Sequence, residues 1–577
     1  TMSSPTPTFE AWNQSPEPGE LRLIPIGGLG EFGMNAMVVH TAKTMLLVDC
    51  GQLFPGDEQP GIDSIIPDFA YLEPFAEKLD AVVLTHGHED HLGALPYFLE
   101  RFNVPVYGTR FTLGLLEAKL AEFEDRLDHP TLIPVDDFDR LPMGGGEIEV
   151  EWIPVTHSIP DACALVLHTP MGRIVHTGDF KLDPEPIDGR VTGLTRLKAL
   201  GAEGVTLLLS DSTNVQRPGR SGAELDCEEA LAQAMEKTSG LVLVGLFSSH
   251  IHRIQLLLEL AYELGRKVCL TGRSLERAIR VALEQRRLTL PDDLFIEPRE
   301  VPLFPRSQVL VLCTGTQGEE MAALNRIIKG EQKGIKLEPR DRVVLSSRAI
   351  PGNEVAIARL LDRAARLGLE TENTDLEGPV HVSGHALRDE CREMIETVQP
   401  THVVPVHGMY RNLLSHAKLA ESLGWPKNRI HLLEGGLCLQ LSRGKVRIAG
   451  QVPVGRCFVD QNVSHRVDAR VVHDRLILQE EGIVIVTLLL DADALELVDE
   501  PTVLSRGFVV LSEDEPFSDL LRRTARRAFD DAPVEIRRDR DLLVELLRSA
   551  LRRVIRKTTQ SRPMVVPMIL EAPADGA

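Results

Sequence analysis

The segment LTHGHEDHLGALPYFL, residues 84–99, places His86, His88, Asp90 and His91 within six positions. It follows LDAVVL, a β-branched run that predicts a buried strand, and it continues with apolar residues at helical spacing. We therefore expect the four side chains on a strand-to-helix loop, where the backbone can aim them at one point. Imidazole and carboxylate are ligands that zinc and similar metals prefer. The alternative is an N-capping Asp90 with incidental histidines, but a cap needs one polar side chain rather than four.

Further candidate ligands follow other apolar runs. VTHSIPDA offers His157, VHTGDFKLD offers Asp179 and VPVHG offers His407, each just after a predicted strand. Asp49 follows the run LLV in the same way. Each of these residues alone is better explained as a turn aspartate or a capped histidine. Because one cluster cannot complete two coordination spheres, the residues together predict a centre for two metal ions.

Composition restricts the compartment and the partners. The 577-residue chain has a net charge of −22, which argues against general adhesion to nucleic acid or anionic membranes but leaves a local basic groove open. Its eight cysteines form no C-x-x-C pair, which is typical of buried thiols in a reducing compartment. The first twenty residues lack the pattern of a signal peptide, and the longest aliphatic run, IVIVTLLL, is too short to span a bilayer. These features predict a cytoplasmic protein without a membrane partner.

The order of strand and helix signals predicts an interrupted catalytic domain. Strands and helices alternate in the first block, longer helices and parallel-type strands follow, and histidine-rich strand ends then return. A C-terminal unit with arginine-rich helices comes last. The expected ranges are a flexible lead-in at 1–20, the catalytic domain at 21–222 and 372–454, an inserted domain at 223–371, and a C-terminal domain at 455–577.

Several motifs resemble those of a known family. VDCG, THGHEDH, THSIPDA and HTGDFK resemble the successive motifs of the metallo-β-lactamase superfamily, while SDSTN, VSGHA and PVHG resemble those of its nucleic-acid-processing β-CASP branch. Within that branch, GGLGEFGMN, CTGTQGE, SSRAIPGNE and RKTTQSRPMVVPMI resemble the ribonuclease J family. The resemblance implies an α/β fold: a metallo-β-lactamase αββα sandwich, an inserted α/β β-CASP domain and a small α+β C-terminal domain.

The resemblance also implies roles for the candidate ligands. It implies two divalent metal ions, with Zn²⁺ expected and Mn²⁺ as the alternative activating ion, because His and Asp ligands suit both. The implied ligands are His86, His88 and His157 for one ion, Asp90, His91 and His407 for the other, and Asp179 as a bridge between them. Asp49 would orient ligands and the attacking water.

The same resemblance implies the groups that act on the substrate. His385 in VSGHA would donate a proton to the leaving 3′-oxygen, and Asp211 of SDSTN would hold its tautomer. The alternative for Asp211 is a turn or N-cap aspartate. Arg348 is expected to contact the RNA backbone. Two small-residue loops are expected to hold the 5′-phosphate and first nucleotide: His381, Val382, Ser383, Gly384 and His385 in one, and Ser248, Ser249 and His250 in the other.

These assignments imply a two-metal ribonuclease that acts in RNA maturation and mRNA decay. Its expected substrate is single-stranded RNA with a 5′-monophosphate, which it would trim from the 5′ end and also cut internally. A small-molecule hydrolase would not need the inserted domain, and an inactive binding module would not need the full ligand set. DNA-directed members of the branch carry valine at the position of His407, whereas RNA-directed members carry histidine. The resemblance therefore favours RNA over DNA as the substrate. The arginine-rich C-terminal helices could bind RNA, but the resemblance favours a homodimer formed through this domain.

Overall fold

A computed structural model describes residues 14–571, except 57, 292, 318, 320–321, 349–352, 372–375, 461–465, 492–493 and 510–514. Residues 1–13 of the expected lead-in therefore lie outside the described part. The strands are β1 (Glu20–Gly27), β2 (Ala36–Thr41), β3 (Met45–Val48), β4 (Ser64–Pro67), β5 (Leu79–Val83), β6 (Val106–Thr109), β7 (Leu132–Val135), β8 (Arg140–Met143), β9 (Ile148–Pro154), β10 (Cys163–Thr169), β11 (Gly172–His176), β12 (Leu207–Asp211), β13 (Val242–Gly245), β14 (Lys267–Thr271), β15 (Phe295–Ile296), β16 (Val309–Cys313), β17 (Arg342–Leu345), β18 (His402–Val406), β19 (Leu437–Ser442), β20 (Lys445–Gln451), β21 (Arg456–Val459), β22 (Ile483–Asp491), β23 (Glu496–Leu497), β24 (Thr502–Arg506) and β25 (Met564–Glu571).

The α-helices are α1 (Glu89–Leu92), α2 (Leu95–Leu99), α3 (Arg110–Leu120), α4 (Leu194–Glu203), α5 (Glu228–Glu236), α6 (Ile251–Glu263), α7 (Arg273–Glu284), α8 (Ala323–Ile328), α9 (Glu354–Arg366), α10 (Arg388–Val398), α11 (Tyr410–Ser422), α12 (Ala469–Glu480), α13 (Glu515–Asp530), α14 (Val534–Arg538) and α15 (Arg540–Thr559). Contacts divide the chain into two compact units, one of residues 1–53 and 66–456 and the other of residues 54–65 and 457–577.

Two sheets form the centre of the first unit. One has the strand order β20-β19-β1-β2-β3-β5-β6-β7 and the other β18-β12-β11-β10-β9-β8. Buried side chains of both sheets, such as Leu23, Trp152 and Leu207, form a common apolar core between them. Helix α3 contacts β6 and β7 of the first sheet, while α10 and α11 contact β12 and β18 of the second. This confirms the predicted αββα sandwich.

A separate α/β domain is inserted into the second sheet. Strands β12 and β18 are parallel neighbours, with Leu207 opposite His402, although the chain between them runs through five other strands. Those five strands form their own parallel sheet in the order β15-β14-β16-β13-β17. The loops that follow β13, β16 and β17 therefore leave the same edge of this sheet. The inserted α/β domain is confirmed.

The second compact unit is the expected small α+β domain. Strand β22 pairs with β23, β24 and β25, and its alternate residues Val484, Val486 and Leu488 are buried in a core with α13 and α15. Residues 54–65 also belong to this unit, although they were expected in the catalytic domain. The reason lies in their hydrogen bonds: the amide of Asp63 donates to Val459 O (2.8 Å), and Arg475 Nη1 donates to Gly61 O (2.8 Å).

The cysteine side chains agree with the expectation of buried thiols. Seven of the eight cysteines are buried as free thiols, and Cys457 is partly exposed. Burial raises the pKa of thiols such as Cys163, to about 12, so these side chains stay protonated and apolar in character.

Among the helices of the described part of the chain, none combines the length and the apolar character that crossing a membrane requires.

Candidate metal centre and active site

The candidate ligands meet where strands of both central sheets end. The positions that follow or end these strands are Asp49 after β3, His86 after β5, His157 after β9, Asp179 after β11, Asp211 at the end of β12 and His407 after β18. Because these strand ends come together at one edge of the sandwich, side chains that are distant in sequence converge on one place. The local pattern of an apolar strand followed by a polar residue is what builds the site.

A first group of donors consists of His86, His88, His157 and Asp179, whose donor atoms all lie within 4.8 Å of one another. His88 Nδ1 lies 3.0 Å from His86 Nε2 and 3.1 Å from His157 Nε2. His157 Nδ1 donates to the carbonyl oxygen of Gly384 at 2.6 Å. Nε2 is therefore the nitrogen of this ring that could bind a metal ion. Three imidazoles and a carboxylate suit one divalent transition metal.

A second group consists of Asp90, His91, His407 and again Asp179, within the same limit of 4.8 Å. Asp179 Oδ2 lies 3.2 Å from His91 Nε2 and 3.8 Å from His407 Nε2. The same oxygen lies 3.6 Å from His86 Nε2 of the first group. One carboxylate thus stands between two sets of donors, an arrangement that suits metal ions held close together.

The electrostatics of the two groups fit cations. Burial lowers the pKa of His88 to about 4 and holds those of His86 and His157 below their usual range, so these rings stay neutral with lone pairs available. In the second group, burial opposes protonation of His407. The carboxylates of Asp179, Asp211 and Asp90 nevertheless raise the pKa of His407 to about 10. This half of the cluster therefore attracts positive charge, whether a proton or a metal ion.

Asp49 holds a ligand rather than joining either group. Its Oδ2 accepts a hydrogen bond from His91 Nδ1 (2.7 Å) and another from the hydroxyl of Thr85 (2.8 Å), while Oδ1 accepts one from the Thr85 amide (2.8 Å). These contacts leave His91 Nε2 facing Asp179. Asp49 and His407 both have positive φ angles, 58° and 55°, a conformation that is concentrated at functional sites.

The turn with His86 and His88 and the short helix α1 with Asp90 and His91 are both fixed by a neighbouring segment. The amide of Cys50 donates to His91 O (2.7 Å), and the amide of Gln52 donates to Glu89 O (3.0 Å). Between them, a Cβ at Gly51 would lie 1.6 Å from Asp90 O, so any larger residue would push this segment away. The close backbone contact keeps Asp90 and His91 in place.

His385 and Asp211 form a pair beside the candidate metal ligands, with donor atoms within 4.8 Å of those of Asp179 and His407. His385 Nδ1 lies 2.8 Å from Asp211 Oδ2, and the His385 ring stacks on that of His407 at 5.5 Å. Its side chain keeps 23% of its surface exposed, whereas Asp211 is buried. Burial alone would lower the pKa of His385, but Asp211 and Asp179 raise it. The pair can carry a proton at the edge of the cluster.

The two loops expected at the 5′-phosphate differ in their surroundings. Ser383 is buried, and its hydroxyl accepts from Asn214 Nδ2 (2.8 Å) and the His385 amide (3.0 Å) while donating to His385 O (2.9 Å). In the same loop, Val382 and Gly384 are buried and His381 is partly buried. Gly384 also contacts His157 through the hydrogen bond described above, so this loop adjoins the metal centre.

In the second loop, residues 248–250, only two of the three residues expected at the phosphate are accessible. Ser248 and Ser249 are partly exposed, but His250 is buried and its Nε2 lies 3.0 Å from Glu224 Oε1. Its ring lies 6.1 Å from that of His381, which brings the two loops together. Arg348 is exposed, and its carbonyl accepts from Gln317 Nε2 (2.9 Å), which links the loops after β16 and β17.

Sequence reasoning missed three residues that hold the ligands. Asn35 Nδ2 lies 3.3 Å from Asp90 Oδ2 and 3.1 Å from His91 Nε2. Thr85 binds Asp49, and the hydroxyl of Thr213 lies 2.7 Å from both His407 Nδ1 and Asp211 Oδ1. Thr85 and Thr213 are polar residues next to predicted ligands within THGHEDH and SDSTN, which is the signal that could have revealed them.

Fold and site together define a metallo-hydrolase of the metallo-β-lactamase superfamily with a β-CASP domain. The family profile "Metallo-beta-lactamase superfamily" matches residues 29–225, and "Zn-dependent metallo-hydrolase RNA specificity domain" matches residues 379–429. Residues 239–364 match "Ribonuclease J, beta-CASP domain", and residues 470–572 match "Ribonuclease J C-terminal domain".

Known proteins agree with these matches over nearly the whole chain. Ribonuclease J 1 of Streptococcus pyogenes is 35% identical over 562 residues, which cover 97% of this chain and 99% of that protein. Ribonuclease J of Mycobacterium tuberculosis is 38% identical over 554 residues, covering 96% and 98%. The chain belongs to the ribonuclease J family and is a metal-dependent ribonuclease. A crystal structure of a protein of unknown function from Enterococcus faecalis V583 shares the fold, with a TM-score of 0.52 and 18% identity over 73% of this chain and 100% of that one.

Proposed function

We propose that the chain binds two divalent metal ions and hydrolyses single-stranded RNA, both stepwise from a 5′-monophosphorylated end and at internal bonds. The observation that carries the proposal is the position of Asp179, which lies within 4.8 Å of donor atoms in two three-residue groups. The proposed ligands are His86, His88 and His157 for one ion and Asp90, His91 and His407 for the other, with Asp179 shared. Nitrogen and oxygen donors suit zinc and also accept manganese.

Bound metal ions would activate both the scissile phosphate and the attacking water as Lewis acids. Asp49 would keep His91 in the tautomer whose Nε2 faces the centre, through the 2.7 Å contact with Nδ1. Asn35 would restrain Asp90 and His91 by its contacts with both side chains. These residues contribute orientation, so that the donors need not rearrange during the reaction.

His385 is the proposed proton donor for the leaving 3′-oxygen. Because its Nδ1 is engaged by Asp211 Oδ2 at 2.8 Å, Nε2 is the atom that would deliver the proton. Its partial exposure supports access to a substrate, and the buried charge of Asp211 supports a protonated ring. Thr213 would fix Asp211 through its hydroxyl and its amide, at 2.7 and 2.9 Å.

The 5′ end of the RNA would lie between the loops at 248–250 and 381–385. Their proximity to each other and to His157 supports this site. Ser383 and Gly384 would shape the pocket wall, since the Ser383 hydroxyl is already engaged within its own loop. Ser248 and Ser249 are partly exposed and would contact the phosphate, and the exposed Arg348 would contact the RNA backbone. His250 would act on its loop through Glu224.

We expect the 5′ phosphorylation state to control trimming but not internal cleavage. A pocket one nucleotide deep should accept a monophosphate and reject the extra bulk and charge of a triphosphate. Labelled RNAs that differ only in this group should therefore give mononucleotides from the monophosphorylated form and very few from the triphosphorylated form. Internal fragments should appear from both RNAs. Equal rates of mononucleotide release from the two would show that these loops do not bind the terminus.

A homodimer through the second compact unit is also proposed. On the sheet face opposite α13 and α15, β24 and β25 expose Leu504 (44%), Met568 (43%) and Leu570 (46%). The strand register places Leu504 beside Ile485 and Leu570 beside Leu489, so apolar side chains line up across this face. An exposed apolar surface of this kind is typical of a subunit interface.

Replacing Leu504 and Met568 with aspartate should turn a dimer into a monomer, because two buried charges in an apolar interface are unpaired. Analytical ultracentrifugation over a concentration series would measure the mass of the particle. Val534→Asp, at an exposed position on helix α14, is the matched control and should leave the mass unchanged. A double variant that sediments exactly like the wild-type dimer would place the interface elsewhere.

A further inference from the structure

A network of buried charges extends away from the metal centre, and its side chains belong to none of the groups of candidate ligands. At its middle is Glu224, whose Oε2 accepts from Arg253 Nη2 (2.6 Å) and Nε (3.1 Å). Its other oxygen, Oε1, lies 3.0 Å from His250 Nε2. All three side chains are buried. His250 immediately precedes helix α6, and Arg253 lies in the first turn of that helix. Glu224 therefore holds the end of the loop at 248–250 and the start of α6 in place.

The free edge of the Arg253 guanidinium reaches two further segments. Nη1 donates to the hydroxyl of Ser346 (2.6 Å), in the loop after β17, and to the carbonyl of Val380 (2.7 Å), just before the loop at 381–385. The Ser346 hydroxyl donates to the same Val380 carbonyl (2.7 Å). One arginine therefore joins three segments that meet at the proposed 5′-phosphate pocket.

The other end of the network is attached to the metal centre. Lys181 follows Asp179 by two residues, and its Nζ lies 3.1 Å from Asp183 Oδ2, 3.2 Å from Gly222 O and 3.6 Å from Glu224 Oε1. The amide of Glu224 donates to Asp183 Oδ2 (3.1 Å). The segment that supplies Asp179 is thus connected to Glu224 by buried, charge-assisted hydrogen bonds.

Such a network is rigid because each broken contact leaves a charge buried without a partner. Burial alone would raise the pKa of Glu224, but His250, Arg253 and Lys181 hold it well below its usual range, so the carboxylate stays ionised. The distance from Asp179 to the three loop segments is fixed by these contacts.

We propose that Glu224 and Arg253 are positioning residues that set the distance between the metal centre and the pocket for the RNA 5′ end. The proposal rests on the proposed function, since it assumes that the loops at 248–250 and 381–385 hold that end. Trimming needs the terminal phosphate and the scissile bond to be held at the same time, so it depends on this distance. Internal cleavage needs the metal centre and the His385–Asp211 pair, but it does not need a bound 5′ end.

The test compares two lysine substitutions in the same domain. Arg253→Lys keeps the charge but cannot bind Glu224, Ser346 and Val380 at once. Arg266→Lys is the control, because Arg266 is equally buried and its guanidinium binds the carbonyls of Met235, Gly240 and Val309 near the opposite ends of the parallel strands. Mononucleotide release from 5′-monophosphorylated RNA measures trimming, and cleavage of a circular RNA of the same sequence measures internal cutting.

For Arg253→Lys we expect trimming to fall about tenfold or more relative to internal cutting, the effect of losing one or two charged hydrogen bonds. Metal content should be unchanged, and Arg266→Lys should keep the wild-type ratio. The proposal would be overturned if Arg253→Lys lowered trimming and internal cutting equally, or if Arg266→Lys lowered the ratio of trimming to internal cutting as much as Arg253→Lys. If Arg253→Lys does not fold, Ser346→Ala decides: a lowered ratio supports the proposal and an unchanged ratio overturns it. A wild-type protein that releases no mononucleotides would instead contradict the proposed function itself.

Discussion

Replacing Asp90 and His91 together with alanine should reduce RNA cleavage by more than about 10³-fold, because activation of phosphate and water by a metal ion contributes several kcal/mol. The two side chains supply most of the donors that belong to the second group and not the first. Metal analysis should show that bound metal falls from two ions per chain to one, since His86, His88 and His157 remain. Circular dichroism should show an unchanged fold.

The matched control for this double variant is His402→Ala. His402 begins strand β18, at the end away from His407, and its ring contacts His431 rather than the ligand cluster. Its removal should leave cleavage and metal content as in the wild type. Full activity in the double variant with the second ion absent would rule out a mechanism that uses both ions.

His385→Ala should lower kcat by about 10²–10⁴-fold, the usual contribution of a general acid. The ring contacts Asp211 directly and shares a third group of close donor atoms with Asp179, Asp211 and His407, but it is not one of the proposed ligands. Metal content and RNA binding should therefore change little. Single-turnover cleavage with saturating protein separates the chemical step from binding. Loss of both metal ions in this variant would show that His385 supports the ligands instead of donating a proton.

The ligand cluster could be predicted from sequence because its signals are local. His86 and His88 lie in the turn after β5, Asp90 and His91 lie in the short helix α1 that follows it, and the structure brings their donor atoms close to those of Asp179. The order of strand and helix signals predicted the inserted domain, the resemblance implied the αββα sandwich, and the structure confirms both. Each of these features depends on strands and on the residues that directly follow them.

The partners of buried charges could not be predicted in the same way. In the sequence, Glu224 looks like an acidic residue at the start of a helix and Arg253 like a polar residue in a loop, since nothing nearby indicates their pairing. His250 was predicted to contact phosphate, but its ring is buried against Glu224 from a different element. Likewise, residues 54–65 carry no change in composition that would assign them to the second unit. Contacts between distant segments decide these features.

The most direct test of the two-metal centre measures metal content and RNA cleavage on the same protein. Metal would be removed with a chelator and restored in steps, with zinc in one series and manganese in another, while bound ions and the cleavage rate are both determined. A two-metal centre predicts that cleavage disappears with the metal and returns in full only as the second ion per chain is bound. Cleavage that persists in the metal-free protein, or that is complete with one ion per chain, would contradict it.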